Sequence, residues 1–180
     1  MIFVTVGTEK FQFDRLLKIV EGAVLTDRIP GDVIIQRGKS KRLATPFQQE
    51  EYYPFEKIVN FMSAADIIIS HAGIGTTLLS LKLGKIPILF PRRQRYSEHL
   101  DDHQLDFTQR IEATGKVLVA YNESQLLNCL NNYQSLVEQL NPSFENKDRS
   151  QLIKALTQCV EEFNVETDTA HHREKSIIDH

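Results

Sequence analysis

The sequence predicts an α/β domain built on a doubly wound parallel sheet, and three observations predict it. Short β-branched runs alternate with longer stretches of helical period. The runs at 2–6 and 66–70 are apolar almost throughout rather than alternating, as in strands covered on both faces. The chain has 180 residues, 41% hydrophobic and 25% charged, an ordinary globular mix close to one domain in length.

Taken in order, residues 2–6 read as a strand and 11–25 as a helix, with Leu16, Leu17, Val20 and Val24 on one side. A second strand is predicted at 32–37 and a further short one within 47–53. Residues 54–65 are helical, with Phe55, Ile58, Val59 and Met62 spaced for one buried face. The strand at 66–70 leads into a helix at 74–83, and a strand at 86–90 follows. A helix is predicted over 97–114, capped by Ser97 and ended by Gly115. A strand at 117–120 and a helix over 123–140 complete a domain spanning 1–140. Residues 141–146 read as a linker in which Pro142 ends the preceding helix. Leu152, Leu156 and Val160 predict an amphipathic helix over 149–163, and the polar stretch 164–180 is predicted to be disordered.

Composition narrows the function. A net charge of −3 gives no basic field for nucleic acid or anionic lipid. The cysteines, Cys129 and Cys159, stand apart from any CxxC or Cys/His cluster, which fits reduced thiols in a cytosolic protein. The apolar start lacks a basic n-region, and the longest apolar runs reach five or six residues against the roughly 20 that span a bilayer. No direct membrane insertion is expected.

In open parallel sheets a ligand sits beyond the carboxyl ends of the strands, where the strand order reverses. In the common order 3-2-1-4-5-6 that point lies between the first and fourth strands. The turns leaving them, Gly7-Thr8 and Ser70-His71-Ala72-Gly73-Ile74-Gly75-Thr76, are both glycine-bearing, hydroxyl-bearing and followed by a helix. Facing each other, such turns offer backbone N–H groups and a positive helix end to a phosphate or diphosphate. A dinucleotide is disfavoured: the first turn is not GxGxxG, and the second strand ends in Gln36-Arg37-Gly38 without an acid. The same absence argues against an epimerase. Gly38-Lys39-Ser40 resembles a P-loop end, but Val33 stands where its first glycine belongs.

A third feature, Pro91-Arg92-Arg93-Gln94-Arg95-Tyr96-Ser97-Glu98-His99-Leu100-Asp101-Asp102-His103-Gln104, follows the strand at 86–90 at the same edge. Its carboxylates and amides suit sugar hydroxyls. Three rival readings stand beside that one: a metal on His99 and His103 at i,i+4, arginines on nucleic acid, and a solvated charged loop.

Ser70-His71-Ala72-Gly73-x-Gly75-Thr76, Gly84-Lys85-x-Pro87, Pro91-Arg92 and Glu98-His99-x-Asp101-Asp102-His103-Gln104 together resemble the C-terminal half of MurG-like glycosyltransferases, family 28 with the GT-B fold. The stand-alone version of that half is the more similar, in particular PssE/EpsE-like exopolysaccharide glycosyltransferase subunits and the catalytic subunit of the eukaryotic two-polypeptide UDP-N-acetylglucosamine transferase. The likeness covers about residues 1–140.

The resemblance implies an inverting transferase that takes a sugar from a UDP-sugar donor, with no metal and no other cofactor. It implies that Gly7 and Thr8 line the diphosphate and that His71, Ala72, Gly73, Gly75 and Thr76 hold it from the other turn. Glu98, Asp102, His103 and Gln104 would face the sugar, and Arg37 and Gly38 the nucleotide. The catalytic base stays open among His71, Glu98, His99 and a partner residue. The glutamate that MurG carries in the helix after HAG, on the ribose, is Leu79 here. That departure points to the PssE-like branch.

A GT-B enzyme takes its acceptor with a second Rossmann-like half, which 180 residues do not hold. The expected partner is therefore a membrane-associated acceptor-binding subunit carrying a lipid-linked or polysaccharide-precursor acceptor. It would hold this chain at the cytoplasmic, inner face of the membrane. The alternative is a non-catalytic accessory subunit that stabilises or activates a partner transferase.

Overall fold

The structure is a computed structural model that describes residues 1–140; the predicted linker, the helix at 149–163 and the tail lie outside the described residues. The strands are β1 (Ile2–Thr5), β2 (Val33–Gln36), β3 (Gln48–Glu50), β4 (Ile67–Ser70), β5 (Ile88–Leu89) and β6 (Leu118–Val119). They form one sheet in the order β3-β2-β1-β4-β5-β6, with every neighbouring pair parallel. Among the described residues six α-helices connect or follow them: α1 (Asp14–Leu25), α2 (Phe55–Ala64), α3 (Ile74–Lys82), α4 (His103–Glu112), α5 (Glu123–Asn131) and α6 (Tyr133–Gln139). The fold is the α/β, Rossmann-like one that the sequence predicts.

Side chains of successive strand residues leave opposite faces of a sheet. Ile2, Val4 and Val6 therefore pack on one side with Leu16, Leu17 and Val20 of α1 and with Leu126 and Leu130 of α5. Phe3 points the other way, against Ile34, Ile68 and Met62 of α2. This two-sided burial is why the strands carry no polar alternation. At about 25 cal/mol per Å2 of apolar surface removed from water, each of these large side chains contributes roughly 1.5–3 kcal/mol.

Two predicted helices are shorter than expected. The helix over 97–114 begins at His103, and Ser97 is not its cap: it sits in the left-handed region at φ 55°, closing a single 3-10 turn at Gln94–Tyr96. Local polar side chains outbid the helix there. Asp102 Oδ1 accepts from Gln94 N (2.9 Å), Asp101 Oδ1 accepts from His103 N (3.1 Å), and Glu98 turns toward Arg15. His99 consequently lies outside the helix, so His99 and His103 are not the one-turn pair that a helical metal site needs.

The helix over 123–140 breaks at Asn132, which ends α5 and begins α6. The Asn132 side chain bonds Asn128, and the Tyr133 hydroxyl donates to Ile86 O at 2.7 Å, which swings the last turns back onto the sheet. The predicted buried face of α2 is also only partly buried. Met62 is inside, whereas Phe55 is 69% exposed, because this face borders a cleft.

Candidate functional site

Adjacent strands in register end side by side. Thr5 pairs with Gln36 on one flank and with Ser70 on the other, so the chain leaves β1 and β4 at the same edge. His71 N–H donates to Thr5 O at 3.2 Å, which ties the two exits together. This is the point where the strand order reverses.

The His71 ring fills the space between the two glycine turns. A Cβ on Gly7 would stand 2.5 Å from His71 Cε1 and Nε2, and one on Gly73 would meet Nε2 closer still. Both glycines are therefore required by contact, and Gly7 also by its φ of 76°. Ala72 between them is left-handed too, at φ 63°, a conformation that costs a residue with a Cβ about 1 kcal/mol or more. The strain turns the chain sharply from β4 into α3.

Helix α3 starts at this turn with Gly73 as its N-cap residue and no side-chain cap, as do α1, α2, α4 and α6; among the described α-helices α5 alone has one, Asn122 Oδ1 accepting from Gln125 N. The first N–H groups of an α-helix lack intrahelical partners, and an uncapped start directs them outward. Burial, reinforced by the Arg92 cation, holds the His71 pKa down to about 3, while the Thr5 carbonyl acts in the opposite direction. At neutral pH the imidazole is uncharged, and its buried Nδ1 has no hydrogen-bond partner among the described residues.

The two turns open onto a cleft of about 510 Å3. Gly7, Thr8 and Glu9 form one rim, and His71, Gly73, Gly75 and Thr76 the other. The polar ends of β1 and β2, Thr5 and Gln36, make the floor, and their side chains bond each other (3.2 Å). Phe55, Ile58, Met62 and Leu79 give an apolar wall, and Gln104 closes the side toward α4.

Residues 1–162 match the glycosyltransferase family 28 C-terminal domain. The chain belongs to that family. Among curated relatives it is 28% identical over 137 residues to the human UDP-N-acetylglucosamine transferase subunit ALG13, and 26% identical over 135 residues to the mouse protein of the same name. Each match covers 71% of this chain but 11% of the relative, so the chain spans about a tenth of their length. Among solved structures, the calicheamicin glycosyltransferase CalG4 aligns with a TM-score of 0.55 at 11% identity, over 91% of this chain and 42% of that one. SnogD from Streptomyces nogalater, also a glycosyltransferase, aligns at 0.53 and 17% identity, over 89% of this chain and 42% of that one. At such identities the two structures speak to the fold alone.

Of the site residues expected for this glycosyltransferase domain, Gly7, Thr8, His71, Gly73, Gly75, Thr76 and Gln104 line the cleft. Ala72 is buried beneath it and shapes the turn. Glu98 is placed elsewhere. Its carboxylate takes two bonds from Arg15 (both 2.8 Å) and one from Arg93 N (3.0 Å), in a separate depression with Gln12 and Tyr96. The Glu98 carboxylate is thus engaged by Arg15 and Arg93 N and does not line the cleft. Arg37 folds back onto Ser40 O (2.8 Å), and Gly38, at φ 52°, packs against Val6 and the Gly7 carbonyl, so neither lines the cleft.

Asp102 bonds Gln94 N, and Asp101 lies between His99 Nδ1 (2.9 Å) and His103 Nε2 (3.5 Å). These residues sit on the Gln104 side of the site but do not line the cleft. Thr5, Gln36 and Glu9 do line it, and sequence reasoning passed over them. A usable signal existed for the first two, each the polar last residue of an otherwise apolar strand.

Proposed function

We propose that this domain binds the UDP-sugar donor of an inverting glycosyltransferase. In this reading the diphosphate bridges the Gly7–Thr8 and Gly73–Thr76 turns, the uridine lies along the Phe55–Leu79 wall, and the sugar reaches toward Gln104. The observation that supports it best is the convergence of two glycine turns and an uncapped helix start at the sheet's switch point, with the His71 ring wedged between them. The leaving diphosphate gains negative charge as the glycosidic bond to it breaks, and fixed N–H donors answer charge that develops at a known place.

The acceptor hydroxyl also needs a binding surface and a base. We assign these to a separate, membrane-associated acceptor-binding chain that presents a lipid-linked or polysaccharide-precursor acceptor at the cytoplasmic face. The names of the relatives support this: each is a transferase subunit.

Calorimetric titration with UDP tests the donor site. Wild type binds. Gly73→Ala, whose new methyl must displace the imidazole, weakens UDP by about tenfold or more while circular dichroism stays that of the folded domain. Equal UDP affinity in Gly73→Ala would remove the turn from the site.

A further inference from the structure

Arg92 heads the fully buried side chains of the described residues and is 0% exposed. Arginine is almost never buried so completely without a paired anion. The carboxylate beside it, Glu98, is taken by Arg15. The Arg92 guanidinium instead donates to four backbone carbonyls: Nη2 to Val6 O (2.7 Å), and Nη1 to Phe11 O (3.0 Å), Gln12 O (3.3 Å) and Glu98 O (3.0 Å). Its face stacks on the Phe13 ring at 4.7 Å.

These carbonyls have a pattern. Val6 precedes the first phosphate turn, and Phe11 and Gln12 follow it, so one rigid fork clamps both ends of the loop carrying Gly7, Thr8 and Glu9. The Arg92 backbone N–H donates to Gln104 Oε1 (3.2 Å), on the far side of the same cleft. A planar guanidinium spans several acceptors at fixed geometry, which a lysine ammonium does not.

We propose that Arg92 is a positioning residue for the diphosphate: it braces the Gly7–Gln12 loop and sets a permanent positive charge behind it. The proposal rests on the donor-binding reading and adds a residue that touches no substrate. Two electrostatic facts support it. Burial lowers the Arg92 pKa only to about 10, so the cation persists at neutral pH. Its charge is felt both by His71 and by Glu9, two groups that line the cleft. The Glu98 and Glu9 carboxylates act on this cation only through space, while its direct hydrogen bonds all go to backbone dipoles, and an anion bound in front of the loop adds to the charges that stabilise it.

The test compares UDP and UMP, whose affinity ratio reports the second phosphate. Full-length wild type, Arg92→Lys and Arg92→Met are titrated with each nucleotide, and each variant is melted beforehand. Arg92→Met loses about tenfold or more of the UDP-over-UMP preference while UMP affinity changes by no more than about threefold. Arg92→Lys, which keeps the charge but not the span, recovers part of that preference. An unchanged ratio, or equal losses for UDP and UMP, makes Arg92 a general core residue and overturns the proposal. If the methionine variant does not fold, the ratio in the lysine variant decides alone: unchanged overturns, reduced supports. Wild type that binds neither nucleotide defeats the donor-binding reading itself, and this inference with it.

Discussion

The His71 side chain shows how one residue links fold and site. Its folded pKa of about 3 lies far below the usual 6.5 because the ring is buried beside a cation. The unfolded chain binds a proton near pH 6.5 that the folded chain refuses, so this group takes away stability as pH falls from there toward 3. Its contribution reaches about 1.4 kcal/mol per pH unit within that window. His71→Gln removes the titration, so urea midpoints of the variant fall less steeply than those of wild type between about pH 6 and 4. Parallel slopes would show that the ring is already solvated and protonated in the folded protein. The glycines around it were legible in the sequence because their spacing reports a turn. Arg92 was legible as half of the Pro91-Arg92 pair and as one of three arginines in a polar loop, but nothing local marks which of them folds inward. Its partners Val6 and Phe11 lie more than 80 positions away and are joined to it only by the closed sheet.

At the scale of elements, strands and helix interiors were easier to read than helix starts. Apolar runs and helical spacing report burial, which marks five of the six strands; β3 carries no apolar residue, and the strand order is that of the common doubly wound sheet. The start of α4 depends on a competition that burial patterns do not show. Ser97 has the chemistry of an N-cap, yet the Arg15–Glu98 pair pulls residues 97–98 away from the helix and onto α1. That pair fastens α1 to the segment after β5. Arg15 also donates to Pro91 O (3.0 Å) and stacks on Phe90 (4.4 Å) and Tyr96 (4.9 Å). Glu98→Ala leaves a partly buried guanidinium and the Arg93 N–H without their acceptor, and lowers stability by about 3 kcal/mol. The Arg15→Met, Glu98→Met double variant regains most of that loss, since both charges leave together. Chemical denaturation of the three proteins measures both. A loss under about 0.5 kcal/mol in Glu98→Ala would mean the pair is a surface contact, and would return Glu98 to the candidates for the sugar or the acceptor.

For the molecule as a whole, among the described residues those lining the cleft fall between Thr5 and Gln104, and two apolar clusters pack within residues 1–140. A domain with its own core folds without its neighbours. On the proposed function, donor binding and acceptor delivery are then separable. Shortening it to residues 1–140 leaves UDP affinity within about twofold of the full-length value, because no cleft residue is removed. The amphipathic helix expected at 149–163 is then free for another task, and docking to the proposed acceptor-binding chain is the one that co-expression tests. Co-expression of full-length and shortened chains with that partner separates the two. The shortened form keeps its UDP titration but no longer co-purifies, and sugar transfer falls with the complex rather than with donor affinity. If the shortened chain loses UDP instead, residues beyond 140 complete the donor site. If it still co-purifies, the docking surface lies on the Rossmann-like domain itself, where exposed Leu100 and Tyr96 stand on the segment that leads to Gln104.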